Sequence, residues 1–261
     1  LVGELAAASA LRHAAPRPLP MWTSISDQVA ADIKPVLHVP SLELASFGTD
    51  DPVLLPQVGL GTGTQRKHAV ADAVATFIRL GGRHLDTASM YDNYAEVRAG
   101  IEASGHANIS ELVVTGKFMP LGHVAVRSEV DKAIIGLGVP YLSVALLHWP
   151  GDTAAGKLLR GSPLPACAVA DDSVSWQRCR QESYAALEME REAGRVKAVG
   201  VSNFALRHLD ELAKLGSSVP SVHQLELHPS WRDDALLERA ANDGTKVQAY
   251  GCLGGAHTGA V

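Results

Sequence analysis

Short apolar runs of β-type composition alternate along the chain with stretches that have the periodicity of a helix. In His68–Leu80, for example, Val70, Val74, Phe77 and Ile78 fall on one helical face. The predicted strands between such stretches are Gln57–Leu60, Arg83–Asp86, Glu111–Thr115, Tyr141–Leu147, Val196–Gly200, Ser221–Leu225 and Lys246–Tyr250. Because most of these strands are apolar on both faces, the pattern predicts a parallel sheet covered by helices.

The spacing of the predicted strands indicates one repeated strand–loop–helix unit. Five of the six intervals between first residues are 25 to 30 residues, and the remaining interval is 55. The extra residues lie at 151–175 and predict a surface insertion in one loop. Upstream, Val36–Leu44 and Val53–Leu55 predict a hairpin. We therefore predict one domain over residues 36–261, preceded by an N-terminal extension at residues 1–35.

Two architectures fit this alternation, an open doubly wound sheet and a closed (β/α)8 barrel. Polar side chains stand at or near the carboxyl ends of six successive predicted strands. They are Asp86, Lys117, His148, Ser202 with Asn203, Gln224, and Tyr250. In a closed barrel these ends meet at one mouth, whereas in an open sheet they spread along an edge. The shared placement therefore favours the barrel.

Composition excludes several classes of protein. Of 261 residues, 46% are hydrophobic and 20% are charged, which is enough apolar material for a core and excludes a disordered chain. The net charge of −5 argues against nucleic-acid or membrane-surface binding, and the chain has no apolar run of transmembrane length. His223 and His228 match no metal-ligand spacing, so no metal is predicted.

The cysteines and the first residues bear on the cellular compartment. Cys167, Cys179 and Cys252 form neither a CxxC motif nor an even-numbered framework, so we expect a reducing, cytoplasmic environment. Residues 1–20 are rich in Ala, Arg and Pro with a single acid, Glu4. This leaves two interpretations open, a disordered N-terminus and the remnant of a transit peptide for organelle import.

Seven motifs occur in a familiar order. They are Gly59-Leu-Gly-Thr62, Leu85-Asp86-Thr87-Ala88-Ser89-Met90-Tyr91-Asp92-Asn93, Gly116-Lys117, Leu147-His148-Trp149-Pro150, Gly200-Val-Ser-Asn-Phe204, Gln224-Leu-Glu-Leu-His-Pro229 and Ala249-Tyr250. On these motifs the chain resembles the aldo-keto reductases over about residues 36–255. The resemblance implies a (β/α)8 barrel, plugged at its bottom by the early hairpin, that reduces small aldehydes and ketones with NADPH.

The resemblance also implies roles for particular residues. The catalytic residues would be Asp86, Tyr91, Lys117 and His148, with Tyr91 as proton donor. Lys117 would lower the pKa of the phenol, since a nearby cation favours the phenolate, and Asp86 would hold Lys117 charged. Tyr91, His148 and Trp149 would contact the substrate. The implied contacts of NADP(H) are Thr62, Asp86, Ser202, Asn203, Gln224 and Tyr250.

The sequence departs from the family pattern at two important places. Gly63 stands where many relatives carry a bulky aromatic residue, which predicts a wider substrate pocket. After Tyr250 no further strand and helix follow, and the basic loop that grips the adenosine phosphates is missing, which predicts a truncated barrel. Two alternatives to an active reductase therefore stay open, a catalytically silent truncated product and a regulatory barrel of the potassium-channel β-subunit kind.

Overall fold

The computed structural model of this chain describes residues 39–44, 52–63, 66–151, 164–170 and 173–254. The predicted extension at residues 1–35, the turn of the hairpin and most of the predicted insertion lie outside the described residues. The chain divides into a unit over residues 1–33 and a unit over residues 34–261. All the described residues belong to the second unit.

Seven parallel strands form one sheet, and each strand pairs with the next strand along the chain. An antiparallel hairpin, β1 and β2, precedes the sheet. The strands are β1 Ser41–Glu43, β2 Leu54–Pro56, β3 Leu60–Gly61, β4 His84–Asp86, β5 Val113–Phe118, β6 Leu142–Leu147, β7 Val196–Ser202, β8 Val222–Glu226 and β9 Lys246–Tyr250. This sequential order has no switch point, which excludes the open doubly wound alternative.

Within the described ranges, six helices connect these strands. They are α1 Lys67–Arg79, α2 Tyr94–Ala103, α3 His123–Leu137, α4 Ser173–Glu192, α5 Leu206–Lys214 and α6 Asp234–Asp243. None of the helices in the described ranges is long and apolar enough to cross a lipid bilayer. Short 3-10 turns at Ser89–Tyr91 and Ile109–Glu111 complete the connections.

The sheet curls, as contacts between distant strands show. Asp86 at the end of β4 accepts hydrogen bonds from Gln224 on β8 and Gln248 on β9. In a flat sheet with strands about 4.8 Å apart, β4 and β8 would be separated by roughly 19 Å. The curled sheet of seven strands therefore fits a (β/α)8 barrel. In the part of the chain that the structure describes, β3 and β9 form the two edges.

Successive residues of β6 face two different cores. One face of β6 contributes Ala145 and Leu147 to the layer between sheet and helices. The other face contributes Val144 and Leu146 to a separate cluster inside the curl. The remaining buried members of that inner cluster are Leu44, Leu55, Ala198 and Val222, and the first two come from the hairpin segment. The hairpin thus packs on the concave face of the sheet.

Three sequence-based expectations need correction. Strand β5 begins and ends later than predicted, at Val113–Phe118, so that Lys117 lies within the strand rather than after it. Helix α4 begins at Ser173, within the predicted insertion. Cys167 and Cys179 form a disulfide, because the start of α4 brings Cys179 back beside the segment that carries Cys167. The expectation that the cysteines form no framework was therefore wrong.

The close approach of β7 and β8 depends on Gly200. A Cβ added there would lie 2.2 Å from the carbonyl oxygen of Val222 and 2.8 Å from the Leu146 side chain. We expect Gly200→Ala to lower the free energy of unfolding by about 1–3 kcal/mol, because backbone would have to move. Urea denaturation measures this change. Gly61→Ala, where nothing lies within 4 Å of the added Cβ, is the control; an equal loss in both variants would contradict the explanation.

Candidate active site

A buried ion pair between Asp86 and Lys117 lies at the centre of the site. Strands β4 and β5 pair so that Asp86 lies opposite Thr115. Lys117 follows two residues after Thr115 and so lies on the same face of β5. The Lys117 ammonium donates to Oδ1 of Asp86. Lys117 is 1% exposed, and a buried charge of this kind requires a partner of opposite charge.

Tyr91 reaches this pair from the turn that follows β4. Asn93 fixes the turn: its Oδ1 accepts from the Thr87 hydroxyl at 3.1 Å and its Nδ2 donates to the carbonyl of Thr62 at 3.1 Å. As a result the Tyr91 ring centroid lies 5.1 Å from Nζ of Lys117. Asn93 belongs to one of the seven motifs, but its contacts with Thr87 and Thr62 become visible only in the fold.

His148 completes a group of four side chains. The His148 ring centroid lies 5.7 Å from that of Tyr91, in an edge-to-face arrangement. Its backbone is held on both sides, since its N–H donates to the Phe118 carbonyl at 2.8 Å and its carbonyl accepts from Asn203 Nδ2 at 2.9 Å. Trp149 stacks beside it with a centroid separation of 6.2 Å. The four predicted catalytic side chains are thus brought together at one end of the sheet.

Burial sets the protonation states of the two aromatic groups. Burial, aided by the Lys117 cation, lowers the pKa of His148 to about 3, so its imidazole is neutral near pH 7. Burial raises the pKa of Tyr91 above its ordinary value, and the opposing influence of Lys117 is smaller. Lys117 acts in the expected direction and lowers the pKa of Tyr91, but the loss of solvation by the phenolate is larger, so the net shift of the pKa is upward.

Two amides complete the coordination of the Asp86 carboxylate. Gln224 and Gln248 are register partners on β8 and β9. Their Nε2 atoms donate to Oδ2 of Asp86 at 2.8 and 3.3 Å. Sequence reasoning included Gln224 but missed Gln248, although a glutamine two residues before Tyr250 in a strand lies on the same face as that tyrosine.

Asn203 connects the end of β7 to the end of β9. Its backbone is left-handed, with φ at 61°. Its Oδ1 accepts from the Tyr250 hydroxyl at 2.8 Å, and its Nδ2 also donates to Ser202 Oγ at 3.1 Å. Thr62 differs from these residues, since its hydroxyl donates to the backbone carbonyl of Asp86 at 3.1 Å and ties β3 to β4.

A cavity of about 490 Å³ reaches Asp86 from the open side of the sheet between β3 and β9. Its lining includes Gln224, Gln248 and Tyr250, and it extends to Leu55 and Pro56 of the hairpin. Oε1 of Gln248 is buried and has no hydrogen-bond partner among the described groups. A half-buried aromatic ring beside several side-chain amides suits a flat ligand that carries an amide, and the buried Oε1 would accept from such a group. The residues therefore fit a nicotinamide ring.

Gly63 lies against Tyr91. A Cβ at position 63 would approach within 2.5 Å of Cζ of Tyr91. The space beside this glycine is therefore occupied by the Tyr91 ring, and a wider substrate pocket stays a prediction. Within the described ranges no group of three or more His, Cys, Asp or Glu residues is arranged to hold a metal ion.

A parallel sheet that curls in chain order, with ionisable side chains at its carboxyl ends, fits the (β/α)8-barrel class of folds. The sequence profile of the Aldo/keto reductase family matches residues 56–260. The chain belongs to this family.

Known relatives show how much of a family member this chain represents. Glycerol 2-dehydrogenase (NADP(+)) of Saccharomyces cerevisiae is 31% identical over 207 residues, which are 77% of this chain and 65% of the yeast protein. Aldo-keto reductase family 1 member A1 of Rattus norvegicus is 33% identical over 77% of this chain and 62% of its own. The chain thus spans slightly less than two thirds of these relatives.

Solved structures show the same fold. An aldo/keto reductase from Brucella melitensis matches with a TM-score of 0.67 and 27% identity over 85% of this chain and 76% of its own. A mutant of Gox0644 in complex with NADPH matches with a TM-score of 0.65 and 27% identity over 82% of this chain and 69% of its own.

The lowered pKa of His148 predicts a pH-dependent stability. The folded state holds this imidazole neutral down to a pKa of about 3, whereas the unfolded chain protonates it near its ordinary value of about 6.5. Stability should therefore fall as the pH decreases from 6.5 towards 3, by up to about 1.4 kcal/mol per pH unit from this group. Urea denaturation of wild type and His148→Gln across this range measures the difference in slope.

The exposed His68 supplies the control for this experiment. His68→Gln should leave the wild-type slope unchanged, while His148→Gln should flatten it. The buried His223, whose pKa burial lowers to about 4, should contribute a second part of the slope. A His148→Gln protein with the full wild-type slope would show that His148 is not held neutral.

Proposed function

We propose that this protein reduces aldehydes or ketones to alcohols with NADPH, with Tyr91 as the proton donor. The observation that carries the proposal is the convergence of Asp86, Lys117, Tyr91 and His148 at one end of the sheet. The name of the yeast relative and the NADPH complex of Gox0644 support the choice of cofactor.

Bound NADPH supplies the hydride for the carbonyl carbon. The oxygen then gains negative charge and requires a proton. Tyr91 donates its hydroxyl proton to that oxygen, and its raised pKa keeps the proton in place until the substrate is positioned. The neighbouring Lys117 cation stabilises the tyrosinate that remains, while Asp86 holds Lys117 charged. The neutral His148 donates a hydrogen bond that orients the carbonyl oxygen.

Residues on β7, β8 and β9 would hold the cofactor. Ser202, Asn203 and Gln224 would bind its amide, and Tyr250 would stack on its ring. Thr62 and Asp86 complete this proposed set. On the other side, Trp149 would form an apolar wall against the substrate. A small carbonyl compound is therefore the proposed substrate class.

The architecture of the whole barrel belongs to the same proposal. The two sheet edges, β3 and β9, present backbone groups that a further strand would pair with. The hairpin would close the opposite end, where Leu44 and Leu55 already pack on the concave face. The proposed domain is residues 36–261.

Replacing the proposed proton donor tests the mechanism. We expect Tyr91→Phe to lower kcat by about 100- to 10,000-fold, because the carbonyl oxygen loses its acid. NADPH binding should stay within about twofold of wild type, because the aromatic ring is retained and only its hydroxyl is lost. Turnover is followed by the loss of NADPH absorbance with an aldehyde, and binding is followed by quenching of protein fluorescence.

Tyr141→Phe is the matched control. Tyr141 directly precedes β6 and packs beside Lys197, away from Asp86, Tyr91, Lys117 and His148. The loss of the Tyr141 hydroxyl should leave turnover unchanged. Wild-type turnover in Tyr91→Phe would refute the role of Tyr91. Saturable NADPH binding by a wild-type protein that reduces no carbonyl compound would instead favour a silent or regulatory barrel.

A further inference from the structure

Two adjacent residues of α4 hold the two ends of the segment that follows the catalytic histidine. That segment leaves the site at Trp149 and Pro150 and returns to the sheet through α4. Arg180 contacts its beginning, and Cys179 is bonded to Cys167 near its end. Neither contact belongs to the proposed chemistry.

Arg180 is a buried cation that binds a backbone carbonyl. Its side chain is 2% exposed, and its Nη1 donates to the carbonyl oxygen of Pro150 at 2.7 Å. Its Nε and Nη2 donate to Oε2 of Glu211 on α5 at 3.1 and 2.5 Å. Because a planar guanidinium directs its donors rigidly, this pairing fixes the position of the Pro150 carbonyl.

Cys179 holds the returning end. Its disulfide partner Cys167 is 3% exposed, and the pair packs in a small buried cluster with Met119 and Trp176. Trp149, the proposed substrate wall, packs against this cluster. The disulfide therefore belongs to the cluster on which the Trp149 side chain packs.

A close backbone approach completes the contact between α4 and the segment. Gly151 has φ at 91°, and a Cβ added to it would lie 2.4 Å from the Trp176 ring. The indole of Trp176 thus occupies the space where a side chain at position 151 would stand. On α4, Trp176 lies three residues before Cys179 and four residues before Arg180. One face of the helix therefore makes all these contacts.

We propose that Cys179 and Arg180 form a two-point anchor that positions Trp149 and thereby determines substrate specificity. The proposal rests on the proposed reductase function. The anchor residues touch neither substrate nor cofactor and act as positioning residues. A fixed Trp149 face should favour carbonyl compounds with a planar apolar group, since such groups gain most from a rigid aromatic wall.

The test compares benzaldehyde with propanal in wild type, Arg180→Met and the double variant Cys167→Ala/Cys179→Ala. We expect KM for benzaldehyde to rise about tenfold in the variants, because a displaced wall loses contact with the ring. The KM for propanal, the kcat values and the Kd for NADPH should stay within about twofold of wild type. A purely structural role would change both aldehydes alike, or only the thermal stability.

Matched variants separate the anchor from general damage. Arg178→Met removes an exposed cation from the same helix, where Arg178 pairs only with Glu182 among the described residues, and should leave both KM values unchanged. Arg180→Lys retains the charge and should partly restore KM for benzaldehyde. Each single cysteine variant should match the double variant, because either one removes the same bond.

A binding measurement keeps the test independent of turnover. Calorimetric titration with benzamide, an unreactive analogue, in the presence of saturating NADPH, which would fill the nicotinamide site, should show about tenfold weaker binding in the anchor variants and in Trp149→Leu. If benzamide binding weakens while wild type reduces no aldehyde, the anchor is upheld and the reductase proposal fails. If folded variants, including Arg180→Lys and the single cysteine variants, keep the wild-type benzaldehyde-to-propanal ratio and benzamide affinity, the anchor is overturned.

Discussion

The arrangement of the site depends on the burial of one ion pair, Asp86 with Lys117. Removing both charges from water is costly, and their attraction offsets this cost only when the remaining lone pairs and protons also find partners. Gln224 and Gln248 supply donors to the second carboxylate oxygen. Those donors come from β8 and β9, which reach β4 only because the sheet curls. The curling of the sheet that brings the distant strands together therefore also supplies the hydrogen-bond donors that the buried ion pair requires.

Burial shifts the pKa values of Tyr91 and His148 in opposite directions, and each shift keeps its group neutral near pH 7. Low solvation disfavours the charged form of each group, so the pKa of the phenol rises and the pKa of the imidazole falls. Both groups are neutral near pH 7, which is the form that the proposed roles require, Tyr91 as proton donor and His148 as hydrogen-bond donor. Lys117 then matters most after the proton has left Tyr91, when a phenolate would stand beside its cation.

Sequence reasoning succeeded where the determining pattern is local. Strand β9 is observed at the predicted residues Lys246–Tyr250, and the polar residues at the strand ends follow from the parallel order alone. It failed where the outcome depends on packing between distant segments. Gln248 meets Asp86 only through curvature, Cys179 meets Cys167 only through the placement of α4, and the pKa of Tyr91 depends on a balance of burial against charge that no motif encodes.

The hydrogen-bond capacity of Asn203 limits how it would bind a cofactor. Its amide has two N–H donors, and both are engaged, one by the His148 carbonyl and one by Ser202. Its Oδ1 accepts from Tyr250 and retains one free lone pair. Asn203 would therefore accept from the amide NH₂ of a nicotinamide rather than donate to its carbonyl. Gln224, which uses one N–H on Asp86, would supply the complementary donor, so that each of the two protein amides meets one half of the ligand amide.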